Sequence, residues 1–189
     1  MGHIRYASDV GAPVEVAFAY TDNHLFVPDW MFGIASFEPI GEAGHGPGAR
    51  YTAFVQLGLW HPAVECEITE YRRNAVIGYT LRRRRPGKVA PAQDSGSTTA
   101  AVGTSAAATA QAAAAAPGAA TLTLRVDPLG YGRSVLTFEV DYPPLRGWPV
   151  RPAAKAVDAA VRGVVRRSEA QLRREIEDFH GTDLVGRIA

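Results

Sequence analysis

The sequence predicts an α+β domain in which a curved antiparallel sheet of about seven strands wraps around one long C-terminal helix. Three observations support this fold class. Segments spread over the first 142 residues alternate apolar and polar side chains, as half-buried strands do. Short turns join most of these segments, which favours antiparallel neighbours. The region after them carries an apolar stripe at helical spacing.

Composition fits one globular domain. The chain has 189 residues, 47% hydrophobic and 21% charged, so it can bury an ordinary core. Its one cysteine, Cys66, excludes an intramolecular disulfide.

A formal net charge of +1 gives no general attraction to nucleic acid. No secretory signal and no apolar run of the ~20 residues that span a bilayer are present, so we expect a cytoplasmic protein without stable membrane insertion.

The first predicted elements are one strand and two short helices. Residues 3–9 alternate in polarity and predict the strand. Pro13 stands where a helix over residues 14–20 would begin, because proline is tolerated in a first helical turn. A second short helix is predicted over residues 24–31.

Six further strands follow, predicted at residues 34–41, 49–60, 62–71, 75–85, 121–127 and 134–142. The clearest is 62–71, where Val64, Cys66 and Ile68 share one face. Glu65 and Glu67 alternate with them on the other face. This alternation is typical of an antiparallel strand with one buried and one solvent-exposed face.

Residues 86–119 interrupt the alternation. They are rich in Ala, Ser, Thr, Gly and Pro, with Lys88 and Asp94 as their only charges. Without an apolar stripe, nothing would hold a helix of this composition against a core. A disordered loop insertion is therefore predicted at 86–119, within a single domain that spans 1–189.

A long amphipathic helix is predicted over residues 152–180, with Gly181 as its C-cap. At ~1.5 Å per residue it would run about 40 Å and cross the whole sheet. Its apolar stripe consists of Val157, Val161, Val164, Ser168, Leu172, Ile176 and Phe179.

The order of these elements, together with several stretches of sequence, resembles one known superfamily. The stretches are residues 4–10 (IRYASDV), residues 12–18 (APVEVAF), Asp29-Trp30-Met31 and the C-terminal helix. With them the chain resembles the START-like helix-grip superfamily (SRPBCC), in particular its bacterial polyketide cyclase/dehydrase and lipid-transport branch. The resemblance implies a helix-grip fold over nearly the whole chain apart from residues 86–119. It is specific for the fold, because members share topology rather than a catalytic motif.

A bent sheet and a straight helix diverge along part of their length, and apolar side chains there would line a gap. Aromatic residues predicted to face inward are therefore candidate ligand contacts: Phe18, Trp30, Phe32, Phe54, Tyr79, Phe138, Tyr142 and Trp148. Tyr79 and Tyr142 stand out, because a buried hydroxyl needs a partner. Ordinary core packing explains each of these residues as well.

Few residues could support catalysis. No histidines or cysteines stand at metal-ligand spacing, and no phosphate loop or triad is recognisable, so we expect no metal and no cofactor. Glu70 would face inward if the alternation continued from Ile68, and a buried acid beside Tyr79 could transfer protons. His61, at a strand turn, is a further candidate base. Whether the domain is an enzyme stays open at this point.

Three functions are compatible with the sequence. The expected cavity favours binding of a small hydrophobic ligand, such as a lipid, polyketide or isoprenoid, for transport or presentation. The resemblance also allows a polyketide aromatase/cyclase that acts on a poly-β-ketone. A third possibility is a protein-interaction module that uses Arg82, Arg83, Arg84 and Arg85, although a solvated strand end explains that run equally.

Overall fold

The computed structural model describes residues 2–41, 44–56, 62–83, 119–143 and 151–188, without the side chains of residues 83, 151–158 and 182–188. The predicted order of one strand, two short helices, six strands and a long helix is confirmed. In chain order the elements are β1 (Gly2–Val10), α1 (Val14–Asp22), a 3-10 turn (His24–Phe26), α2 (Val27–Trp30), β2 (Ile34–Ile40), β3 (Arg50–Val55), β4 (Ala63–Arg72), β5 (Val76–Arg83), β6 (Ala120–Gly130), β7 (Arg133–Tyr142) and α3 (Arg151–Ile188).

The seven strands form one sheet in the order β1-β7-β6-β5-β4-β3-β2. Each neighbouring pair is antiparallel. Strands β2 to β7 pair with their neighbours along the chain, whereas β1 pairs with β7, with Gly2 opposite Tyr142 and Val10 opposite Ser134. The predicted fold class, an α+β helix-grip fold with a curved antiparallel sheet, is confirmed.

Three register shifts help to bend the sheet. A bulge places an extra residue in one strand of a pair, which increases the local bend and twist. The shifts lie at Ile34/Ser36 in β2, Ile68/Glu70 in β4 and Pro128/Gly130 in β6.

Helix α3 packs against β1, β7, α1 and α2. Ser168, Leu172 and Ile176 are buried along this face, so the predicted amphipathic stripe is confirmed there. One turn earlier Val165, which the stripe did not include, is buried, whereas the predicted Val164 is half-buried. Phe179 lies at the edge of the interface and is 43% exposed. Its ring packs beside those of Tyr20 and Phe26, with centroids 5.5 and 6.2 Å away.

The predicted end of this helix at Gly181 is wrong, because α3 continues to Ile188. Glycine lowers helix stability by about 1 kcal/mol relative to alanine but does not by itself terminate a helix. Among the described residues, no helix combines the length and apolar character that a membrane span requires.

Strands β5 and β6, which flank the predicted insertion, are direct neighbours in the sheet. Leu81 pairs with Ala120. The residues between the two strands, 84–118, lie outside the described part of the chain. The disordered insertion at 86–119, and with it the single-domain organisation, therefore stays a prediction.

Candidate functional site

A cavity of about 60 Å³ lies between α2 and the inner face of the sheet. Its helical wall consists of Val27, Trp30 and Met31. Its sheet wall comes from β2 to β6 and includes Phe37, Ala53, Cys66, Tyr79 and Leu122. The surface that these residues present to the cavity is apolar.

The period of two along β3 and β4 explains which side chains line the cavity. Ala53 and Val55 face it, and so do Val64 and Cys66 on the neighbouring strand. Ala53 pairs with Val64, so the two strands present the same face at the same height. The predicted inward orientation of Cys66 is confirmed, and the side chain is 2% exposed.

Helix α2 is only four residues long and is held over the cavity by α3. The Ser168 hydroxyl accepts a hydrogen bond of 2.9 Å from the Phe32 backbone N–H. The Gln171 side-chain amide donates to the carbonyl oxygen of Asp29. Trp30 is fully buried and meets the Phe138 ring edge-on, with centroids 5.9 Å apart. The α2 segment over the cavity is thus held by two hydrogen bonds to α3 and by the edge-on contact of Trp30 with Phe138.

Phe37 lines the cavity and contacts two tyrosine rings. It stacks on Tyr51 with centroids 4.5 Å apart. The ring of Tyr79, which itself lines the cavity, meets Phe37 edge-on at 6.2 Å. The Tyr51 ring also lies near the His24 ring, with centroids 5.7 Å apart.

Asp22, Tyr51, Tyr71 and Tyr79 form what we call the Asp22 cluster. The Tyr71 hydroxyl donates a hydrogen bond of 2.8 Å to Asp22 Oδ2, and the Tyr51 hydroxyl donates one of 2.8 Å to the Gly44 carbonyl oxygen. Asp22 Oδ1 is buried and has no hydrogen-bond partner among the described residues. The cluster therefore contains one buried acceptor whose hydrogen-bonding capacity is unused.

Burial governs the acidity of the groups around the cavity. It raises the pKa of Tyr71 to about 12, assisted by the hydrogen bond to Asp22, and that of Tyr51 to about 12, assisted by the negative charge of Asp22. Burial also raises the pKa of Tyr79 and brings that of the Cys66 thiol to about 12. Near neutral pH these groups keep their protons, so they can donate hydrogen bonds but cannot act as bases or nucleophiles.

The predicted ligand contacts fall in different places. Trp30 and Tyr79 line the cavity. Phe138 contacts Trp30, and Phe18 is 3% exposed with its ring 5.9 Å from that of Tyr71.

Tyr142 is half-buried on the β1 side of the sheet, where its ring covers Gly2. Trp148 lies outside the described residues. Ligand contact by each of these residues stays a prediction.

Two aromatic residues do not face inward as predicted. Phe54 lies between the cavity-lining Ala53 and Val55, so it points to the opposite face and is 41% exposed. Phe32 is 37% exposed and lies beneath the Arg167 guanidinium, whose central carbon is 4.9 Å from the ring centroid. Neither Phe32 nor Phe54 is among the residues that line the cavity.

The predicted inward position of Glu70 is also wrong. The bulge after Ile68 shifts the alternation by one residue, so Tyr71 points inward in place of Glu70. The Glu70 side chain is 50% exposed and lies 3.9 Å from the Arg72 guanidinium. Glu70 and Tyr79 are therefore not brought together as an acid and its neighbour. His61, the other candidate base, lies outside the described residues.

The remaining predictions concern metals and the arginine run. Among the described residues, no three or more His, Cys, Asp or Glu side chains lie close enough together to hold a metal ion. Arg82 is exposed near the end of β5. The side chain of Arg83 and all of Arg84 and Arg85 are outside the described part, so a protein partner at this run stays a prediction.

Sequence reasoning missed Asp22, Tyr51 and Tyr71. The alternation along β3 could have indicated that Tyr51 faces inward, because Tyr51 shares its face with Ala53 and Val55. For Tyr71 the signal was Gly78, since an isolated glycine in a strand often marks a bulge or a close approach of backbones. Asp22 has no comparable signal, because it reads as an ordinary residue at the end of a helix.

Solved structures similar to this one share its architecture at low sequence identity. The Zhui aromatase/cyclase from Streptomyces sp. R1128 is 14% identical, with a TM-score of 0.65 over 93% of both chains. A START superfamily protein from Mycobacterium smegmatis is 11% identical, with a TM-score of 0.57 over 95% of this chain and 97% of that one. Truncated norcoclaurine synthase from Thalictrum flavum is 12% identical, with a TM-score of 0.57 over 93% and 92%. At these identities the likeness establishes the fold alone.

Comparison of sequences gives the family. No curated protein matches the chain. The family model described as polyketide cyclase / dehydrase and lipid transport matches residues 1–177, which include all seven strands, α1, α2 and most of α3. The chain therefore belongs to the polyketide cyclase / dehydrase and lipid transport family.

Proposed function

We propose that this domain binds a small hydrophobic molecule, such as a lipid, polyketide or isoprenoid, in the cavity beneath α2, for transport or presentation. Family and fold support a START-like ligand-binding domain. The observation that carries the finer proposal is the apolar lining of the cavity, from Val27 and Trp30 on one side to Cys66 and Leu122 on the other. Transfer of apolar surface from water into such a site contributes ~25 cal/mol per Å².

The cavity volume implies that a ligand must enlarge it. Sites for drug-sized ligands typically enclose roughly 300–1,000 Å³, whereas this cavity measures about 60 Å³. Helix α2 is the wall best suited to move, because it is four residues long and its described polar ties to α3 include the Phe32–Ser168 and Gln171–Asp29 hydrogen bonds. Outward movement of α2 would increase the volume of the cavity between this helix and the sheet.

The protonation states around the cavity exclude one catalytic role, that of a tyrosinate base. Burial raises the pKa of Tyr51 and Tyr71 to about 12, so neither hydroxyl is a base near neutral pH. The family description covers both cyclases and lipid transport, so membership supports either role. The apolar lining of the cavity therefore carries the proposal of binding.

Cavity filling tests the proposal. Ala53 lines the cavity and is 2% exposed, so Ala53→Phe should occupy the space and weaken binding of the neutral apolar dye N-phenylnaphthylamine by about tenfold or more. Ala7 is exposed on β1, and Ala7→Phe is the matched control. Calorimetric unfolding confirms that both variants fold, and native mass spectrometry of the purified wild type would detect a co-purifying ligand. Equal dye binding by wild type and Ala53→Phe would rule out this cavity as the site.

A further inference from the structure

We infer that the Asp22 carboxylate accepts a hydrogen bond from a hydroxyl group at the polar end of the ligand. This inference rests on the proposed function, because it requires a ligand in the cavity beneath α2. It narrows the ligand to one chemical class: an apolar molecule that ends in a neutral alcohol or phenol, rather than in an ionised carboxylate.

The first observation is the uneven pairing of the two Asp22 oxygens. Oδ2 accepts the hydrogen bond from Tyr71 at 2.8 Å. Oδ1 is buried and has no partner among the described residues. A buried carboxylate oxygen without a donor is unfavourable, and such groups in folded proteins are normally satisfied. A donor from outside the described polypeptide would satisfy it.

The second observation is the position of Asp22 beside the cavity. Asp22 ends α1, and after one 3-10 turn the chain reaches Val27 on the cavity wall. Asp22 is not part of the apolar lining, but its charge acts on Tyr79, which is, and on Tyr51, on which the lining residue Phe37 stacks.

The Phe37 ring connects these two observations. It lines the cavity and contacts both Tyr51 and Tyr79, with ring centroids 4.5 and 6.2 Å away. Besides movement of α2, a ligand larger than about 60 Å³ can gain space by displacing the Phe37 ring. Displacement of that ring would bring the polar end of the ligand against Tyr51, on which Phe37 stacks, and so to the Asp22 cluster.

The chemistry of a carboxylate sets the selectivity. An ionised carboxylate only accepts hydrogen bonds, so it pairs with a hydroxyl but not with an ether or a hydrocarbon. A ligand carboxylate would bring a second negative charge into a buried site and would be repelled. The expected order of affinity is therefore alcohol first, then ether and hydrocarbon, with the carboxylate last.

Octanol, octane, methyl octyl ether and octanoate are suitable probes, because they share one apolar chain and differ at its end. Isothermal titration at neutral pH should show octanol binding to the wild type about tenfold more tightly than the ether, as expected for a hydrogen bond to a charged acceptor. Asp22→Asn should reduce this preference about tenfold and strengthen octanoate relative to octanol. Asp127→Asn, the same change at an exposed position, should leave the order unchanged.

The outcomes separate this inference from the proposed function. Equal affinity of the wild type for octanol and its methyl ether would overturn the role of Asp22, while the proposed cavity site would stand. Failure of the wild type to bind any of the four probes would count against the proposed function itself. The comparison of alcohol with ether needs no variant, so it remains decisive even if Asp22→Asn fails to fold.

Discussion

The hydroxyl of Tyr71 lies 2.8 Å from Asp22 Oδ2 and donates a hydrogen bond to it, which joins β4 to the end of α1. This bond exists because the bulge after Ile68 turns Tyr71 toward the interior. The bulge therefore contributes both to the curvature of β4 and to the orientation of the half-buried Asp22 carboxylate.

Replacement of Tyr71 by phenylalanine should lower the free energy of unfolding by about 1–3 kcal/mol. The variant keeps the ring and its contact with Phe18 but leaves Asp22 without the donor that satisfies Oδ2. Urea denaturation measures the loss. Tyr131→Phe is the matched control, because that side chain is fully exposed and its hydroxyl remains in water. Equal stability of the two variants would contradict the importance of the Tyr71–Asp22 bond.

Alanine at Gly78 should destabilise the sheet by about 1–3 kcal/mol, the usual range for overpacking. Gly78 faces Glu70 across the bulge, and a Cβ at this position would lie 2.9 Å from the Glu70 Cβ. Gly163→Ala on α3 is the control. A Cβ there meets nothing within 4 Å, so the substitution should stabilise the helix by about 0.5–1 kcal/mol. Thermal unfolding should thus shift in opposite directions for the two changes.

Ser168→Ala should loosen α2 over the cavity. The change removes the acceptor of the Phe32 N–H, a net loss of about 1 kcal/mol. Hydrogen exchange of the Phe32 amide should then accelerate about fivefold. Ser36→Ala removes an exposed hydrogen bond to Glu38 and serves as the comparison. Unchanged exchange at Phe32 in the Ser168 variant would show that the Ser168 hydrogen bond is not what holds this segment against α3.

Stability should fall at alkaline pH. Burial raises the pKa of Cys66 from 9.0 to about 12 and those of Tyr51 and Tyr71 from 10.0 to about 12. The unfolded chain therefore loses these protons at lower pH than the folded protein does. The stability that these groups contribute is complete below about pH 9 and is lost as the pH rises toward about 12.

The midpoint of urea unfolding, measured at increasing pH, follows this loss. In Cys66→Ala, which lacks the group that titrates first, the decline should begin nearer pH 10, where the tyrosines of the unfolded chain titrate. A midpoint that stays constant through this range would contradict the burial of the three groups.

Most of the fold could be predicted from the sequence, because alternation over strands such as β4 reports burial directly. Val64, Cys66 and Ile68 were assigned to the correct face, and the stripe on α3 was correct at Leu172 and Ile176. These residues obey a local rule whose period the sequence shows. The prediction for the long helix is wrong at its end, because the helix continues through Gly181 to Ile188 and a glycine alone is a weak stop signal.

The candidate site was predicted less well, for a physical reason. The Ile68/Glu70 bulge reverses the alternation, and its position depends on how β5 packs against β4 rather than on β4 alone. That reversal exchanged Glu70 for Tyr71. Asp22 was missed because its role comes from distant partners in the fold, not from its neighbours in the chain.

The pairing of β1 with β7 has a consequence for how this protein is made. His3 and Asp141, whose side chains are 2.9 Å apart, are separated by 138 positions in the chain. During synthesis the first strand emerges long before its partner, whereas β2 to β5 can pair as successive hairpins. The edge of the sheet at β1 is therefore completed last, and contacts of such long separation slow folding. Until β7 emerges, the backbone N–H and C=O groups of β1 have no partner strand.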